Sequence, residues 1–438
     1  MNYQLNSPII ALASAQGQSA IAVIRLSGAN CINLLAPFFS KTKQLLQTAT
    51  GQMVYGHLYN NLQHTEQLDE VMLAPFWPPH SYTGEESGEI YLHGNMHIAD
   101  NLIKLLCRNG FRLALPGEFT YRAYLNGKLS LTEAEAVHEL ITAPSTAATN
   151  AALLRLSGAL TKKVSQIYHL IIERLAAVNV LIDYGDELEE TDNLPISYHH
   201  IIAQLQQLLA SYNRSKQLQN GALVVIAGQP NVGKSSLFNV LVGSERAIVS
   251  PVAGTTRDYI EAAITLNGQL IRLIDTAGIR PTTDEIELLG INKAVSLLEE
   301  ADVIIYLTND NKQLSEELIN FSSKTLIVGS KSDLKPTQAK GLAVSAVTGS
   351  GLEKLITELN HRLSSQNNLN NEVMLGSLRQ YQLVEEALTA MFNLNYINDL
   401  SEQSFYLKKA GEALAALLGQ NARQDAITTM FSSFCLGK

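Results

Sequence analysis

The sequence predicts a multidomain chain, α/β plus all-α. An N-terminal α/β domain comes first, then a helical domain discontinuous in sequence, with an α/β module of mostly parallel sheet inserted between its halves. Three observations carry this reading. Residues 1–124 hold short apolar runs broken by turn residues. An apolar stripe of helical period follows, and that period returns beyond residue 365. Between the two helical stretches, strands and helices alternate, the grammar of a parallel sheet. The expected divisions are 1–124, 125–219 (helical, first part), 220–365 and 366–438 (helical, second part). A length of 438 residues is consistent with this, at roughly 150 residues per domain.

Composition narrows the class. Apolar residues make up 46% and charged residues 17%, enough to bury a core in each domain. No apolar stretch of membrane-spanning length is present, so no membrane role is expected. Met1 to Pro8 lacks the pattern of a secretory or transit signal, and the three cysteines are too few and too scattered for a disulfide framework or a zinc site. The expected setting is the cytoplasm. A net charge of -9 excludes bulk attraction to nucleic acid, though a local basic patch could still bind one.

Taken in order, Ile21–Ile24, Val54–Leu58 and Glu70–Ala74 read as strands, the last closed by Pro75 and Pro78-Pro79. Residues 96–109 read as a helix. Leu153, Leu156, Leu160, Val164, Ile167, Ile171, Leu175, Val178 and Ile182 recur at steps of three or four, which predicts one long helix ending in an acidic run from Asp183 to Asp192. The plain reading of that run is a solvated kink. Residues 200–218 form the next helix, broken at Asn220-Gly221.

Leu223–Ala227 is a buried strand that runs into Gly228-Gln-Pro-Asn-Val-Gly233-Lys234-Ser235 and then an apolar helix. This is G-x-x-x-x-G-K-[ST] in its required strand–loop–helix setting. The backbone N–H groups of Asn231, Val232, Gly233, Lys234, Ser235 and Ser236 are placed to wrap phosphates at a helix N-terminus. Lys234 would bridge the β- and γ-phosphates, and the Ser235 hydroxyl would take Mg2+. Further along, Asp275-Thr276-Ala277-Gly278 ends an apolar strand, with Asp275 facing Mg2+ through water and Gly278 sensing the γ-phosphate. Ser330-Lys331-Ser332-Asp333 follows the strand Thr325–Val328. The Asp333 carboxylate can accept N1–H and the exocyclic amine of guanine, a pair that adenine does not offer. Ser345 and Ala346 supply a backbone N–H for the guanine O6. In order and spacing these resemble the GTPase motif set, so the inserted module is expected to be a Ras-like P-loop GTPase domain rather than an ATPase or kinase. Ser330 stands where the set has Asn, which removes an amide that ties the base loop to the P-loop.

In Gly254-Thr255-Thr256-Arg257-Asp258, Thr256 is assigned by resemblance to Mg2+ and the γ-phosphate, with Thr255 its rival. Ile279 follows Gly278 where Ras-type enzymes carry a water-orienting Gln. Asn231 and the loop 250–254 resemble GTPases that hold K+ against the phosphates. That resemblance implies Asn231, Ser250, Val252 and Thr255 as its ligands, against a purely structural role for Asn231.

The flanking segments decide between GTPase classes. His80-Ser-Tyr-Thr-Gly-Glu-Glu86, Leu115-Pro-Gly-Glu-Phe-Thr120, Leu125-Asn-Gly-Lys-Leu129, Leu131-Thr-Glu-Ala-Glu-Ala-Val137 and the terminal Phe434-Cys-Leu-Gly-Lys438 resemble the bacterial tRNA modification GTPase MnmE (TrmE) family over essentially the whole chain. The resemblance implies a K+-dependent GTP hydrolase. With a flavoprotein partner, MnmG, in a heterotetramer, it takes part in adding an aminomethyl or carboxymethylaminomethyl group at C5 of the wobble uridine of certain tRNAs. It implies a homodimer formed through the N-terminal domain and 5,10-methylene- or 5-formyl-tetrahydrofolate bound there. By position in matching motifs, Arg25, Glu89, Lys128 and Lys438 are the implied folate residues, where a folate needs cations for its glutamyl tail and a carboxylate for its ring edge. It also implies Glu287, beyond Asp275–Gly278, as the group that positions the attacking water, against a plain helix N-terminal acid. His93-Gly94-Asn95 departs from the family's His-Gly-Gly. Cys435 is expected to be a buried structural thiol, with a catalytic thiol as the alternative. The rival to this whole reading is an RNA-binding regulatory GTPase switch in ribosome assembly.

Overall fold

The structure is a computed structural model that describes residues 5–184, 198–244, 260–266, 268–275, 296–309, 319–334, 342–364, 372–420, 427, 430–432, 434, 435 and 437. Two compact units are present, one formed by Met1–His138, Leu156–Ile202 and Gln382–Lys438, the other by Glu139–Arg155 and Ala203–Tyr381.

In the first unit the elements run β1 (Ile9–Leu12), β2 (Ile21–Ser27), α1 (Cys31–Leu35), α2 (Thr42–Gln47), β3 (Val54–Tyr59), β4 (Gln67–Phe76), β5 (Ser87–His93), α3 (Met96–Arg108), β6 (Arg112–Leu113) and α4 (Glu118–Leu125). They build a six-stranded sheet of order β3-β4-β5-β2-β1-β6, antiparallel except where β6 pairs with β1. Strand alternation sorts the side chains of β2. Ala22, Ile24 and Leu26 enter the core with Ile90, Leu92, Leu73 and the α3 residues Leu102 and Leu106. Arg25 therefore faces the other side, directly across from Glu89 of β5. All three expected strands and the helix form. β4 runs on through Pro75 to Phe76, because Pro75 pairs with Gly88 in the strand register before the turn begins.

α5 (Leu131–Thr142), α6 (Thr146–Leu156), α7 (Ala159–Tyr184) and α8 (His199–Asn220) follow. The single long helix expected over 153–182 is two helices. Gly158, at φ +81°, turns the chain between α6 and α7, and Leu153 is exposed. Within α7 the stripe holds: Leu160, Val164, Ile167, Ile171 and Val178 are buried. Each stabilises the unit by about 1.5–3 kcal/mol relative to leaving it exposed. Of the acidic run only Asp183 lies within the described residues.

The second unit carries a six-stranded sheet built from β7 (Ala222–Gly228), β8 (Ile260–Leu266), β9 (Gln269–Asp275), β10 (Val303–Thr308), β11 (Thr325–Gly329) and β12 (Leu342–Ala343). Its order is β12-β11-β10-β7-β9-β8, parallel throughout except for the β8–β9 hairpin. β7, buried almost end to end, lies at the centre. The helices α9 (Lys234–Ser244) and α10 (Leu352–Ser364) pack on it through Leu237, Leu241, Leu355 and Leu359. The Asp302 carboxylate accepts hydrogen bonds from Gln217 of α8 at 2.6 Å and from the Leu223 N–H at 2.7 Å. That fixes the C-terminal end of α8 to the sheet.

Two further helices are α11 (Leu378–Asn393) and α12 (Leu400–Leu417). In the first unit α12 lies along α7, with Ser404 hydrogen-bonded to Asn179. No helix among the described residues is long and apolar enough to cross a membrane.

Candidate functional site

The nucleotide motifs converge at the C-terminal ends of β7, β9, β11 and β12, the end of a parallel sheet where ligands bind. β7 ends in Gly228, whose φ is +145° and whose Cβ, were there one, would lie 2.5 Å from the Leu307 carbonyl oxygen. Only glycine permits that approach. Asn231 adopts φ +61°, which Asn tolerates better than most residues. The chain then enters α9 at Lys234, so the last loop residues present their N–H groups at a helix N-terminus.

Lys234 is buried and its Nζ donates to the Gly228 and Gln229 carbonyls at 2.9 and 3.0 Å. Burial pushes its ammonium below the usual lysine range, and Asp275 opposes that shift. Ser235 donates to Asp275 Oδ2 at 2.7 Å, and Asp275 is fully buried at the end of β9. A hydroxyl and a carboxylate held this close form a hard-oxygen pair that fits Mg2+. Ser236 is exposed on the first turn and Val232 is buried beneath the loop.

The guanine side is held by the backbone. Ser330 donates from Oγ to the Val232 carbonyl at 2.5 Å, and Lys331 donates from Nζ to the Asn231 carbonyl at 2.9 Å. The tie that the Ser330 replacement was expected to remove is therefore made by the shorter hydroxyl. Val344 N–H donates to the Gly329 carbonyl and Ser332 N–H to the Val344 carbonyl, joining the Asp333 loop to the Ser345 loop. The Ser345 N–H donates to the Ser350 carbonyl, so of the expected pair Ala346 is the candidate donor to a base. Ser250, Val252, Thr255, Thr256, Thr276, Ala277, Gly278 and Glu287 lie outside the described residues. Among the described residues no cluster of three or more His, Cys, Asp or Glu could hold a metal.

In the first unit Arg25 and Glu89 meet across β2 and β5. Arg25 Nε and Nη2 both donate to Glu89 Oε1, at 3.0 and 2.7 Å, and Nη1 donates to the Gly437 carbonyl at 3.2 Å. Tyr91 donates to Glu89 Oε2 at 2.7 Å. Desolvation first, then the hydrogen bond to Glu89 and its charge, push the Tyr91 phenol up to about 12. The Arg25 guanidinium lies 5.4 Å from the Tyr82 ring centroid and 5.9 Å from that of Phe119. Lys128 is exposed and donates to the Pro79 carbonyl, on the loop that leads to Tyr82. Lys438 lies outside the described residues. Sequence reasoning missed Tyr91 and Gly437. Tyr91 was legible as the same-face neighbour two residues beyond Glu89, whereas nothing local points to Gly437.

Beside this pair runs a buried polar chain. Arg122 donates to Glu85 at 3.0 Å, to Glu118 at 3.0 Å and to the Ser7 carbonyl at 2.9 Å, and Arg112 donates to Glu118. Burial opposes ionisation of Glu118, yet the bonds from Arg112, the Leu115 N–H and Arg122 outweigh it and hold the carboxyl below its usual range. At His93-Gly94-Asn95, the Asn95 side chain caps α3 by accepting from the His97 N–H, which accounts for Asn there. Cys435 is exposed rather than buried, because the neighbouring Phe434 takes the inward position.

The model of the TrmE N-terminus of GTP-binding proteins matches residues 8–128, and that of the MnmE helical domain matches residues 131–435. The chain is 37% identical to the tRNA modification GTPase MnmE of Aquifex aeolicus, over 99% of this chain and 100% of that one. It is 36% identical to a tRNA modification GTPase MnmE of Thermus thermophilus, over 99% of each. Among solved structures, Aquifex aeolicus Era bound to GDP.AlF4- is 27% identical with a TM-score of 0.27, over 39% of this chain and 66% of that one.

Proposed function

The chain belongs to the tRNA modification GTPase MnmE family and is a GTP hydrolase, and from that premise we propose that it hydrolyses GTP with K+ and Mg2+ in the cytoplasm, as a homodimer that works with the flavoprotein MnmG. In this reading the pair takes part in adding an aminomethyl or carboxymethylaminomethyl group at C5 of the wobble uridine of certain tRNAs. The observation that best supports the nucleotide half is the Ser235–Asp275 hydrogen bond beside buried Lys234.

Lys234 stands at the loop to neutralise charge on the β- and γ-phosphates. Ser235 and Thr256, with Asp275 behind, would hold Mg2+, which would supply further positive charge to the phosphates. Asp333 selects guanine through its carboxylate, and the Ala346 N–H meets O6. Asn231, Ser250, Val252 and Thr255 would hold K+ in place of an arginine finger, and Glu287 would position the attacking water. In the N-terminal unit, Glu89 would read the ring edge of tetrahydrofolate, and Arg25, Lys128 and Lys438 would supply the cations for its anionic tail.

Single-turnover GTP hydrolysis measured in K+ and in Na+ tests the proposal. Wild type should run fast in K+ and slowly in Na+, and Lys234→Ala should fall about 10²–10³-fold. Glu287→Ala should stop turnover while leaving GTP affinity unchanged. Equal rates in both salts would remove the K+ assignment. Unmodified nucleosides in tRNA from cells that lack this chain would support the modification half, and a normal nucleoside profile would refute it.

A further inference from the structure

The β8–β9 hairpin runs past the strand that anchors it. β9 pairs with the central strand β7 from Ile271, opposite Ala222, to Asp275, opposite Ile226. Its first two residues, Gln269 and Leu270, pair with β8 and lie beyond the start of β7, so the tip of the hairpin overhangs. Two groups receive the overhang. Gly221 stands between α8 and β7 at φ +83°, and a Cβ there would lie 2.9 Å from Leu270 Cγ. At the tip, a Cβ built on Gly268 would lie 3.8 Å from Thr146 Cβ, on the first residue of α6. The far end of β9 is in the nucleotide pocket, where Asp275 accepts the Ser235 hydrogen bond at 2.7 Å. Seven extended residues of β9 therefore span about 20 Å between the pocket and the tip.

α6 is held as one piece. At its start the Ala148 N–H donates to Ser145 Oγ at 3.2 Å. Along its length Ala148 and Ala151 pack with Leu218 of α8 and with Met374. Near its end Arg155, 2% exposed, donates from Nε to Glu139 at 2.6 Å and from Nη1 to the Met374 carbonyl at 3.5 Å. A displacement at Thr146 is carried along such a helix, because no turn of it is left to fray. The chain then leaves α6 through Gly158 for α7.

We propose that the β8–β9 hairpin is a relay that carries the state of the nucleotide pocket from Asp275 to α6, through the contact of Gly268 with Thr146. A cation entering between Ser235 and Asp275 would replace their direct hydrogen bond and move the end of β9 with its carboxylate. β8 is the edge strand of the sheet, so the hairpin can shift on β7 without displacing a further strand. The contact at the tip stands on geometry alone; its input rests on the Mg2+ and nucleotide reading above.

The separation of 3.8 Å between the two Cβ positions is that of a disulfide. The double variant Thr146→Cys with Gly268→Cys, in the full-length protein, should therefore crosslink on mild oxidation. Each single variant controls for Cys31, Cys107 and Cys435. Gly268 has φ +80°, which strains a cysteine, and the reduced double variant carries the same strain as the oxidised one. Failure of the pair to crosslink would overturn the contact.

Hydrogen exchange then reads the relay, with Mg2+ and either GDP or a non-hydrolysable GTP analogue. In wild type and in the reduced variant, the peptide Ser145–Leu156 should differ between the two nucleotides by about fivefold or more. Oxidation should abolish that difference and dithiothreitol should restore it. A difference that survives oxidation would overturn the relay. So would an α6 peptide indifferent to nucleotide while Gly228–Ser236 is protected, an outcome that leaves the nucleotide reading standing. Absence of protection at Gly228–Ser236 would bring down that reading and the relay together. Linkage supplies a second check, since the locked contact should change the ratio of the two nucleotide affinities by the same factor. An unchanged ratio would count against the relay.

Discussion

The nucleotide pocket and the Arg25 site solve the same problem, holding charged groups in fixed positions, by opposite means. In the pocket the fixing groups are mostly backbone: Lys234 rests on the Gly228 and Gln229 carbonyls, and Ser330 and Lys331 on those of Val232 and Asn231. Each loop sits at the end of a strand, so parallel pairing of β7, β9, β10 and β11 brings the loops to one edge of the sheet, where single side-chain hydrogen bonds tie them. Around Arg25 the fixing groups are mostly side chains from separate segments, Glu89, Tyr82 and Phe119, joined by one backbone group, the Gly437 carbonyl. The pocket should therefore tolerate changes of side chain that keep a hydrogen bond. The N-terminal site should not tolerate the loss of a single charge.

The sharpest way to break this comparison is at Arg122, which is 1% exposed and paired with Glu118 and Glu85. Arg122→Ala leaves the fully buried Glu118 with only Arg112 among its cations and should cost about 3–5 kcal/mol of stability. Urea denaturation followed by the Tyr and Trp signals measures it. A loss below about 1 kcal/mol, the range of solvated surface pairs, would erase the contrast.

A smaller effect is expected in the pocket. Ser330→Ala removes one hydroxyl bond to Val232 and should weaken GDP and GTP binding by about fivefold, near 1 kcal/mol. Ser330→Asn, which offers a longer donor to the same carbonyl, should bind within about twofold of wild type by the same magnitude. Calorimetric titration decides between them, and a collapse of affinity in Ser330→Asn would mean that the backbone cannot absorb the change.

The smallest effect concerns His93, exposed at the end of β5 and bonded through Nδ1 to Asp69 at 2.7 Å. The hydrogen bond to Asp69 and its charge raise the imidazole above its ordinary range. The sign follows directly. A raised folded-state pKa gives stability that is fully present below the unfolded value near 6.5 and is lost as pH rises through the folded value. An NMR titration should place His93 above 6.5, and Asp69→Asn should bring it back. An unshifted midpoint in wild type would mean that solvent screens the pair.

Much of the fold was legible because its signals are local. The apolar run Ile21–Ile24, the strand–loop–helix around Gly228–Ser235 and the break at Asn220-Gly221 each involve residues within a few positions of one another. The stripe over 153–182 misled at one point, since periodicity does not register a single glycine turned to φ +81°. The P-loop residues and Asp275 were readable in the same local way. The substitution at Ser330 was misread because a motif names the usual residue and not the distance to be spanned.

By itself the sequence determined the identity of the nucleotide module, since a phosphate loop is a local backbone conformation that its own glycines and lysine specify. It also placed Glu89 and Arg25 among the residues of interest. Tertiary structure alone decided which neighbours Arg25 meets. Whether a guanidinium meets a ligand or a neighbour depends on which carbonyl and carboxylate the folded chain brings within 3.2 Å, and here one of them lies 412 residues away. Hydrogen bonds act over a few ångströms, and only the packing of distant segments sets which groups come that close.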